Sequence, residues 1–401
     1  MRAPKALLLS GSLGLGHEML VRSCRSVLEA DGWAVRSVDC MSLLGRRFGH
    51  AGQRIFDRMI RAAPGLYDGL HFAHLRTGSS LARAMDASAC ARLVPALGEL
   101  LDADPPDLVL SVFATGASAA ARCRRDRPGL KTVVLCSDVT LHRLWVADGT
   151  DLFLATSPAA AASVLRYLPR ARVAVIPPPV RSSFFDAPDR DKARAELGLA
   201  RDARCVLVID SGWGFGIVEE SVRTMAAAGI DVLAVAGRRT SVERRFRTLA
   251  SHEPHVRPFG FVDDVPLLMA AADAVMTLPG ATTCSEARVV GRPLLLLDLM
   301  PGHGRENLLH ELVLGDARAC GASPEDVADA ALALLEQPRL GARRAAVPWE
   351  GEFRSALRGI DIGLDIGASA GAAMASGGGT ELDHAAGARA RAPQMAGAPR
   401  P

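Results

Sequence analysis

The chain is poor in aromatic residues and has no excess of charge of one sign. Phe, Trp and Tyr make up 4% of the sequence, and the formal net charge is +3 over 401 residues. A nucleic-acid-binding surface needs a basic stripe, and single strands also require aromatic side chains on which bases stack. The composition therefore predicts no nucleic-acid partner.

Long hydrophobic runs are missing too. No uninterrupted apolar stretch approaches the ~18 residues that a membrane-spanning helix requires. Residues 1–10 are apolar for only a few positions before a glycine-rich loop, which predicts a first strand and not a signal peptide. We expect a cytoplasmic protein in which any membrane contact is peripheral.

Neither disulfide pairs nor metal motifs are evident. The eight cysteines form no C-x-x-C pair and mostly fall within apolar strand or helix patterns, as reduced, buried thiols do. The one convincing Asp-x-Asp pair, Asp102 and Asp104, precedes two prolines, where a solvated turn explains it better than a metal site does. We predict no metal ion and no cofactor.

Short apolar runs alternate with helical patterns, which predicts an α/β protein with parallel sheets covered on both faces. The proline cluster at 177–179 divides the runs into two series and predicts a linker. The strands are predicted at 6–9, 34–38, 108–112, 132–136 and 152–155 in the first series, and at 205–209, 232–236, 274–276 and 294–297 in the second.

Five segments are predicted from these patterns. They are an amino-terminal half at residues 1–176, a linker at 177–190, a carboxy-terminal half at 191–345, a helical segment at 346–367 and a tail at 368–401. The two halves are predicted to be Rossmann-like domains that face a cleft. The tail is largely Ala, Gly, Arg and Pro without a period, which predicts disorder.

The most informative local feature is the segment 278–286, Leu-Pro-Gly-Ala-Thr-Thr-Cys-Ser-Glu. It predicts a loop and a helix start after a strand, where unpaired N–H groups and the positive helix end suit a pyrophosphate without a metal. Glu286 would lie one helical turn in, where a carboxylate can bind ribose hydroxyls. An ordinary turn with a solvated Glu286 is the alternative.

Three more loops are predicted to open on the same cleft. The loop 260–264 starts a helix, the loop 301–307 follows the run 293–297, and a glycine-rich loop at 212–216 follows the first strand of the second series. Ligands of open α/β sheets bind at the carboxyl ends of the strands. The glycines at 212–216 either donate N–H groups to a leaving phosphate or only permit a tight turn.

Two candidate bases lie in the amino-terminal half. His17 ends a glycine-rich loop, and Asp138 follows the predicted strand at 132–136. An imidazole with an ordinary pKa near ~6.5 suits proton transfer at neutral pH, so His17 is the preferred general base. Asp138 either acts as the base itself or orients His17, and structural roles for both residues stay open.

A basic amphipathic stretch occupies residues 46–83. Such a stretch suits an anionic membrane surface, and an ordinary helix buried on one face against a sheet gives the same spacing. Its charged residues are Arg46, Arg47, Arg54, Arg58, Arg61, Arg76 and Arg83, opposed by Asp57 and Asp68.

These features resemble the monogalactosyldiacylglycerol synthase and processive diacylglycerol glucosyltransferase family, relatives of the lipid-linked peptidoglycan N-acetylglucosaminyltransferase. The similarity extends over roughly residues 5–345, with the motifs in the right order. They are matched by Gly14-Leu15-Gly16-His17, by Asp138 with His142 and Trp145, by Pro179-Val180-Arg181-Ser182-Ser183-Phe184, by Gly260-Phe261-Val262, and by the loops 277–281 and 301–307.

The resemblance implies the GT-B architecture and an inverting transfer of a hexose from a UDP-sugar to a lipid of diacylglycerol type, or to another hydrophobic acceptor, at the inner face of the plasma membrane. It also implies that the helix near 349–357 crosses back to the first half. The nucleotide-sugar would be bound by Gly212, Gly214, Phe261, Val262, Gly280, Ala281, Thr282, Glu286, His303, Glu306 and Asn307. The acceptor side would contain Gly16, His142 and Trp145.

The chain departs from the family pattern at several positions. Leu278, Ala281, His303 and Gly304 stand where the family has Lys, Gly, Gln and Glu, and the segment 113–116 replaces a Thr-His-Pro tripeptide. These departures concern the donor sugar and the acceptor. A transferase of a soluble secondary metabolite, a nucleotide-sugar epimerase and a UDP-sugar-binding regulator without turnover therefore remain alternatives.

Overall fold

The structure, a computed structural model, describes residues 2–12, 15–210, 215–321, 323–336 and 348–360, without the side chains of residues 15, 46, 47 and 50. Gly212 and Gly214 lie outside the described residues, as does the tail predicted at 368–401. Within the described ranges, twelve strands form two six-stranded sheets, and the strands pair in parallel throughout.

The amino-terminal half contains the first sheet. Its elements are β1 (Lys5–Ser10), α1 (Leu15–Ala30), β2 (Ala34–Asp39), α2 (Cys40–Leu43), α3 (Arg46–Ala62), α4 (Pro64–Gly69), a π-helix (Leu70–Leu75), α5 (Ser80–Ala103), β3 (Leu108–Ser111), α6 (Ala114–Arg124), β4 (Lys131–Cys136), a 3₁₀ turn (Arg143–Trp145), β5 (Leu152–Ala155), α7 (Pro158–Tyr167) and β6 (Val173–Val175).

The second sheet follows a short helix in the predicted linker, α8 (Ser182–Phe185). Its elements are α9 (Arg190–Leu197), β7 (Cys205–Ile209), α10 (Gly216–Ala227), β8 (Asp231–Val235), α11 (Thr240–Ala250), β9 (Val256–Phe259), α12 (Val265–Ala271), β10 (Ala274–Thr277), α13 (Ala281–Val290), β11 (Leu294–Leu297), α14 (His303–Leu314), β12 (Ala317–Cys320) and α15 (Pro324–Leu335), and α16 (Glu350–Arg358) ends the described chain.

Apolar runs form the central strands because both faces of each sheet are covered. Every residue of β3, β10 and β11 is buried, as expected for strands of parallel sheets. The sequence did not predict β6, β9 and β12. These three are edge strands with partly exposed residues, so their hydrophobic pattern is weak.

The strand orders place the ligand-binding edges. The first sheet has the order β2-β1-β3-β4-β5-β6 and the second β12-β11-β10-β7-β8-β9. When the strands of the second sheet are listed starting from β9, their order matches that of the dinucleotide-binding fold. The order reverses between β1 and β3 and between β7 and β10, and ligands of such sheets bind at the carboxyl ends of the strands beside these reversals.

Side-chain caps fix the starts of two helices, one of them the helix predicted after the loop 260–264. The Ser323 hydroxyl accepts a hydrogen bond from the Asp326 N–H at 3.1 Å at the start of α15, and Asp264 accepts one from the Leu267 N–H at 3.2 Å at the start of α12. A side-chain oxygen at the N-cap satisfies one of the unpaired amides of the first turn.

The basic stretch 46–83 is divided between core and surface. Ile60 and Tyr67 are buried in the same apolar cluster as Met300 of the carboxy-terminal half. The apolar side chains left exposed on this stretch are Phe48, Ile55, Leu66, Phe72 and Leu81. None of the described helices is long and apolar enough to cross a membrane.

The last described helix, α16, contacts the amino-terminal half. Arg354 forms an ion pair with Asp31 of that half at 2.7 Å. The indole N–H of Trp349, the residue before α16, donates to the Val180 carbonyl of the linker at 3.0 Å. The described residues all belong to one compact unit, and the boundaries predicted within it stay predictions.

Replacing Trp349 tests the anchoring of α16. Its side chain is fully buried, so Trp349→Phe retains most of the apolar contact but leaves the Val180 carbonyl without its donor. We expect the free energy of unfolding to fall by about 1–3 kcal/mol, measured by urea denaturation. Glu352→Gln, at an exposed position of α16, is the control. Equal midpoints for Trp349→Phe and the parent would contradict the anchoring role.

Candidate active site

A cavity of about 230 Å³ lies where strand ends of the two sheets face each other. Its walls come from the first turns of α1 and the loop after β4 in one half, and from the segments after β8, β9, β10 and β11 in the other. The predicted site residues that line it are Gly16, His17, Asp138, Phe261, Val262, Gly280, Ala281, Thr282, Glu286, His303 and Asn307.

The start of α13 forms the predicted loop and helix junction. Gly280 is the N-cap, in an extended conformation with φ −91° and ψ 124°, and no side chain caps the helix. The first-turn N–H groups are therefore left for another acceptor. Gly16 of the opposite half approaches closely, since a Cβ built there would lie 3.5 Å from the Thr282 hydroxyl. This arrangement suits an anion at the helix start.

Glu286 is a buried carboxyl with one cationic partner. Its side chain is 7% exposed, and its Oε1 lies 3.3 Å from Nη2 of Arg181. Burial raises the pKa of Glu286 to about 7, against the opposing charge and hydrogen bond of Arg181. The alternative of a solvated Glu286 is therefore wrong for this structure, and Arg181 itself lines the cavity.

Phe261 lies on the surface of the cleft and not in the core. Its side chain is 41% exposed, and the Arg238 guanidinium lies 4.7 Å from the ring centroid. Arg238 also donates two hydrogen bonds to Glu18 of α1, at 2.7 and 2.8 Å. The loop after β9 is thus joined across the cleft to the first helix of the chain.

The loop 301–307 contains two glycines at which any side chain would force neighbouring atoms to shift. Gly302 has φ +63°, and a Cβ there would lie 2.5 Å from a ring carbon of Tyr67. At Gly304 a Cβ would lie 2.2 Å from the Met300 Cβ. The departure from the family pattern at Gly304 is therefore a packing requirement of this loop.

His303 and Asn307 on this loop both contact the amino-terminal half. His303 Nδ1 and the Tyr67 hydroxyl lie 3.2 Å apart, and burial lowers the pKa of His303. The Asn307 Oδ1 accepts a hydrogen bond from the Val139 N–H at 3.3 Å. The start of α14 is therefore held beside the loop that carries Asp138.

His17 lies against aromatic rings at the cavity wall. Its ring centroid is 5.6 Å from that of Phe113 and 6.4 Å from that of Trp145. Burial lowers the pKa of His17, while the charge of Asp138 and a main-chain hydrogen bond at Val112 act in the opposite direction. Its Nδ1 has no hydrogen-bond partner among the described residues. A neutral imidazole with an unpartnered nitrogen is the state that a general base requires.

Asp138 supplies the negative charge of the site. It raises the pKa of both His17 and His303, so it lies near imidazoles from the two halves. Burial, together with His71 and His303, lowers the pKa of His142 to about 3. Trp145 is 2% exposed and packs in the core of the amino-terminal half. Neither His142 nor Trp145 belongs to the described cavity lining, and their acceptor-side role stays a prediction.

The Asp-x-Asp pair lies apart from the cavity. Asp102 pairs with Arg127 at 2.7 Å, and Asp104 pairs with Lys5, so each carboxylate bonds a different cation. All eight cysteines are free and buried, as predicted. In the described ranges, no group of three or more His, Cys, Asp or Glu is placed to hold a metal ion, and the metal requirement stays a prediction.

Sequence reasoning missed several residues of the site. Arg181 was matched to a linker motif without a role, and Arg238 and His71 were not considered. His71 contacts Glu306, 235 positions away in the chain, and no periodicity reports such a contact.

Comparison with known sequences identifies relatives at modest identity. No family model matches the chain. A processive diacylglycerol beta-glucosyltransferase of Bacillus licheniformis is 24% identical over 217 residues, 53% of this chain and 56% of that protein. A probable chloroplastic monogalactosyldiacylglycerol synthase of Glycine max is 27% identical over 241 residues, 56% of this chain and 44% of that protein.

A third relative is named for a lipid other than diacylglycerol. It is the UDP-N-acetylglucosamine--N-acetylmuramyl-(pentapeptide) pyrophosphoryl-undecaprenol N-acetylglucosamine transferase of Mycobacterium sp. (strain KMS), 32% identical over 210 residues, 48% of this chain and 55% of that protein. The chain spans about half the length of the curated relatives that it matches. The resemblance predicted from the motifs is confirmed to this extent.

Solved structures confirm the predicted fold class. MurG of Acinetobacter baumannii has a TM-score of 0.55 and 13% identity, covering 90% of this chain and 99% of that chain. MnaA of S. aureus, solved with UDP, has a TM-score of 0.57 and 12% identity, covering 91% of this chain and 98% of that chain. At such identities the likeness concerns the fold alone, and that fold is GT-B.

The buried carboxyl of Glu286 gives a testable dependence of stability on pH. Its pKa is raised from 4.5 to about 7 in the folded state. Between these two pH values the unfolded chain releases a proton that the folded chain keeps. The free energy of unfolding of the parent therefore falls as pH rises. Glu286→Gln removes this loss. Relative to the parent, its free energy of unfolding should increase by roughly 3 kcal/mol between about pH 4 and pH 8.

Urea denaturation of both proteins across this pH range measures the difference. Glu196→Gln, at an exposed position of α9, should show a difference from the parent that does not change with pH. A constant difference for Glu286→Gln as well would show that the pKa of Glu286 is not raised in the folded state.

Proposed function

We propose that the chain is an inverting, metal-independent, UDP-sugar-dependent glycosyltransferase that moves a hexose to a lipid of diacylglycerol type or to another hydrophobic acceptor. The observation that carries the proposal is the convergence of three groups on one cavity: an uncapped helix start, a buried carboxyl and a neutral imidazole.

The carboxy-terminal half offers a complementary surface for the donor. Its diphosphate would lie at the start of α13, where main-chain N–H groups and Arg181 supply positive charge in place of a metal ion. Preorganised donors of this kind typically contribute ~3–4 kcal/mol each to a transition state in a site without water. The uracil would face Phe261 and Val262, and Glu286 would bind the ribose hydroxyls.

The amino-terminal half offers the base. His17 would take the proton of the acceptor hydroxyl as the oxygen's electron pair forms the new bond to the anomeric carbon. The bond from that carbon to the UDP oxygen breaks on the opposite face, and its electron pair leaves with UDP. The charge of Asp138, which already raises the pKa of His17, would stabilise the imidazolium that forms.

The acceptor side of the proposal rests on the relatives' names and on one surface. Two of the relatives are named for diacylglycerol lipids and one for an undecaprenol-linked substrate. Phe48, Ile55 and Leu66 are exposed on the basic stretch, as are Arg58 and Arg61. Exposed apolar groups beside arginines support peripheral binding to an anionic membrane on the cytoplasmic side.

The proposal is tested by incubating the chain with lipid-extract vesicles and each of a panel of UDP-sugars, with products followed by mass spectrometry. We expect one lipid to gain the mass of one hexose, and a metal chelator to change the rate by less than about twofold because no step needs a metal Lewis acid. Release of UDP and free sugar without an acceptor would instead indicate an epimerase. UDP binding without any turnover would indicate a regulator, and activity independent of vesicles would indicate a soluble acceptor.

Replacing the base should separate chemistry from donor binding. His17→Ala is expected to lower kcat by about 10²- to 10⁴-fold, the usual contribution of a general base, and to leave the Kd for UDP within about threefold. Single-turnover kinetics and calorimetry measure the two quantities. Asp138→Asn is the comparison: retained activity in His17→Ala with loss in Asp138→Asn would assign the base to Asp138.

A further inference from the structure

A buried contact outside the predicted motifs joins the two halves beside the cavity. The π-helix Leu70–Leu75 follows α4 directly, and π-helical turns are rare and frequently lie at functional sites. His71 on this turn is 0% exposed. Its ring centroid lies 6.2 Å from that of His303 and 6.1 Å from that of His142.

Both carboxylate oxygens of Glu306 are bonded by the amino-terminal half. His71 Nε2 lies 2.9 Å from Oε2, and Nη2 of Arg76 lies 3.2 Å from Oε1. Burial opposes ionisation, but His71, Thr140 and the charge of Arg76 together hold the pKa of Glu306 below its ordinary value. We call His71, Arg76 and Glu306 the brace.

The brace reaches both loops that carry reacting groups. Arg76 also donates to the Leu141 carbonyl at 2.9 Å, in the loop after β4 that carries Asp138. Glu306 lies in the first turn of α14, between His303 and Asn307, which line the cavity. A shift of the first turn of α14 would therefore move the donor-side and base-side walls relative to each other.

We propose that His71 and Arg76 are positioning residues, which fix the first turn of α14 against the loop after β4 by bonding both carboxylate oxygens of Glu306. They thereby set the placement of His303 relative to Asp138. The inference rests on the proposed function and deepens it. It gives Glu306 a role in assembling the site in place of the sugar contact predicted from the sequence, because neither carboxylate oxygen lacks a partner.

Substitution of His71 tests the brace in the intact protein. His71→Leu removes the N–H donor with a side chain of similar bulk, and His71→Gln retains a donor. We expect His71→Leu to lower kcat by about 10- to 100-fold, the range that a displacement of about 1 Å costs, with the KM for the UDP-sugar within about threefold. His71→Gln should recover most of kcat. A raised KM with unchanged kcat, or parent-like activity, would overturn the proposal.

His74→Leu is the matched control. His74 lies on the same π-helix, and its ring contacts the Ser79 hydroxyl at 3.0 Å, so its replacement perturbs the helix without touching Glu306. Parent-like kinetics are expected for it. If His71→Leu does not fold, as judged by thermal melting, Glu306→Gln weakens both bonds without a change in size and takes its place.

Hydrogen exchange gives a second readout that does not require activity. In His71→Leu the amides of residues 138–142 and 302–307 should exchange faster than in the parent, whereas in His71→Gln and His74→Leu they should not. Unchanged exchange would overturn the brace even if activity fell. A parent that turns over no UDP-sugar would refute the proposed function, and the exchange comparison would then decide the brace alone.

Discussion

The burial of charge between two parallel sheets is the constraint on which the rest of the structure depends. Two glutamates in the cleft, Glu286 the more deeply buried, show how burial and partners together decide the charge. Glu286 has a single contact at 3.3 Å to Arg181, and desolvation prevails, so its pKa rises to about 7. Glu306 has a contact at each oxygen, from His71 and Arg76, and its pKa falls below the ordinary value. The pKa of the same side chain is therefore raised at one strand end and lowered at the next.

The imidazoles of the cleft follow the same rule with the opposite sign, because desolvation disfavours their cationic form. Burial lowers the pKa of His17, His142 and His303. Asp138 opposes this effect at His17 and His303, and His142 receives no such contribution and reaches about 3. A neutral imidazole that retains a nearby carboxylate is prepared to accept a proton, whereas one without it is fixed in the neutral state. The nearby carboxylate thus distinguishes His17 from His142 as a candidate base, which their positions in the sequence do not do.

Much of the fold was predictable because the central strands are buried on both faces and so appear as continuous apolar runs. The edge strands β6, β9 and β12 were missed, since residues such as Arg257 and Arg318 interrupt their patterns. The loops at the strand ends could be predicted from glycine and helix-start signals. Contacts between separate segments could not be predicted, because residues such as His71 and Glu306 are far apart in the chain and each looks ordinary in its own segment. In the sequence, Gly304 was notable only because the family has Glu at this position. The structure adds the reason: a Cβ at Gly304 would collide with the Met300 side chain.

The basic stretch explains why one hydrophobic pattern supported two interpretations. A surface helix needs apolar residues on the face that packs against the protein. Folding does not require apolar residues on its solvent-facing side. In α3 and α4 both faces carry them: Tyr67 packs with Met300 in the core of the carboxy-terminal half, while Ile55 and Leu66 are exposed. Asp68 in α4 also accepts a hydrogen bond from the Gly302 N–H at 2.6 Å. The segment with exposed apolar side chains on its outer face is therefore bonded on its inner face to the loop 301–307, and burial on one side leaves the other side in solvent.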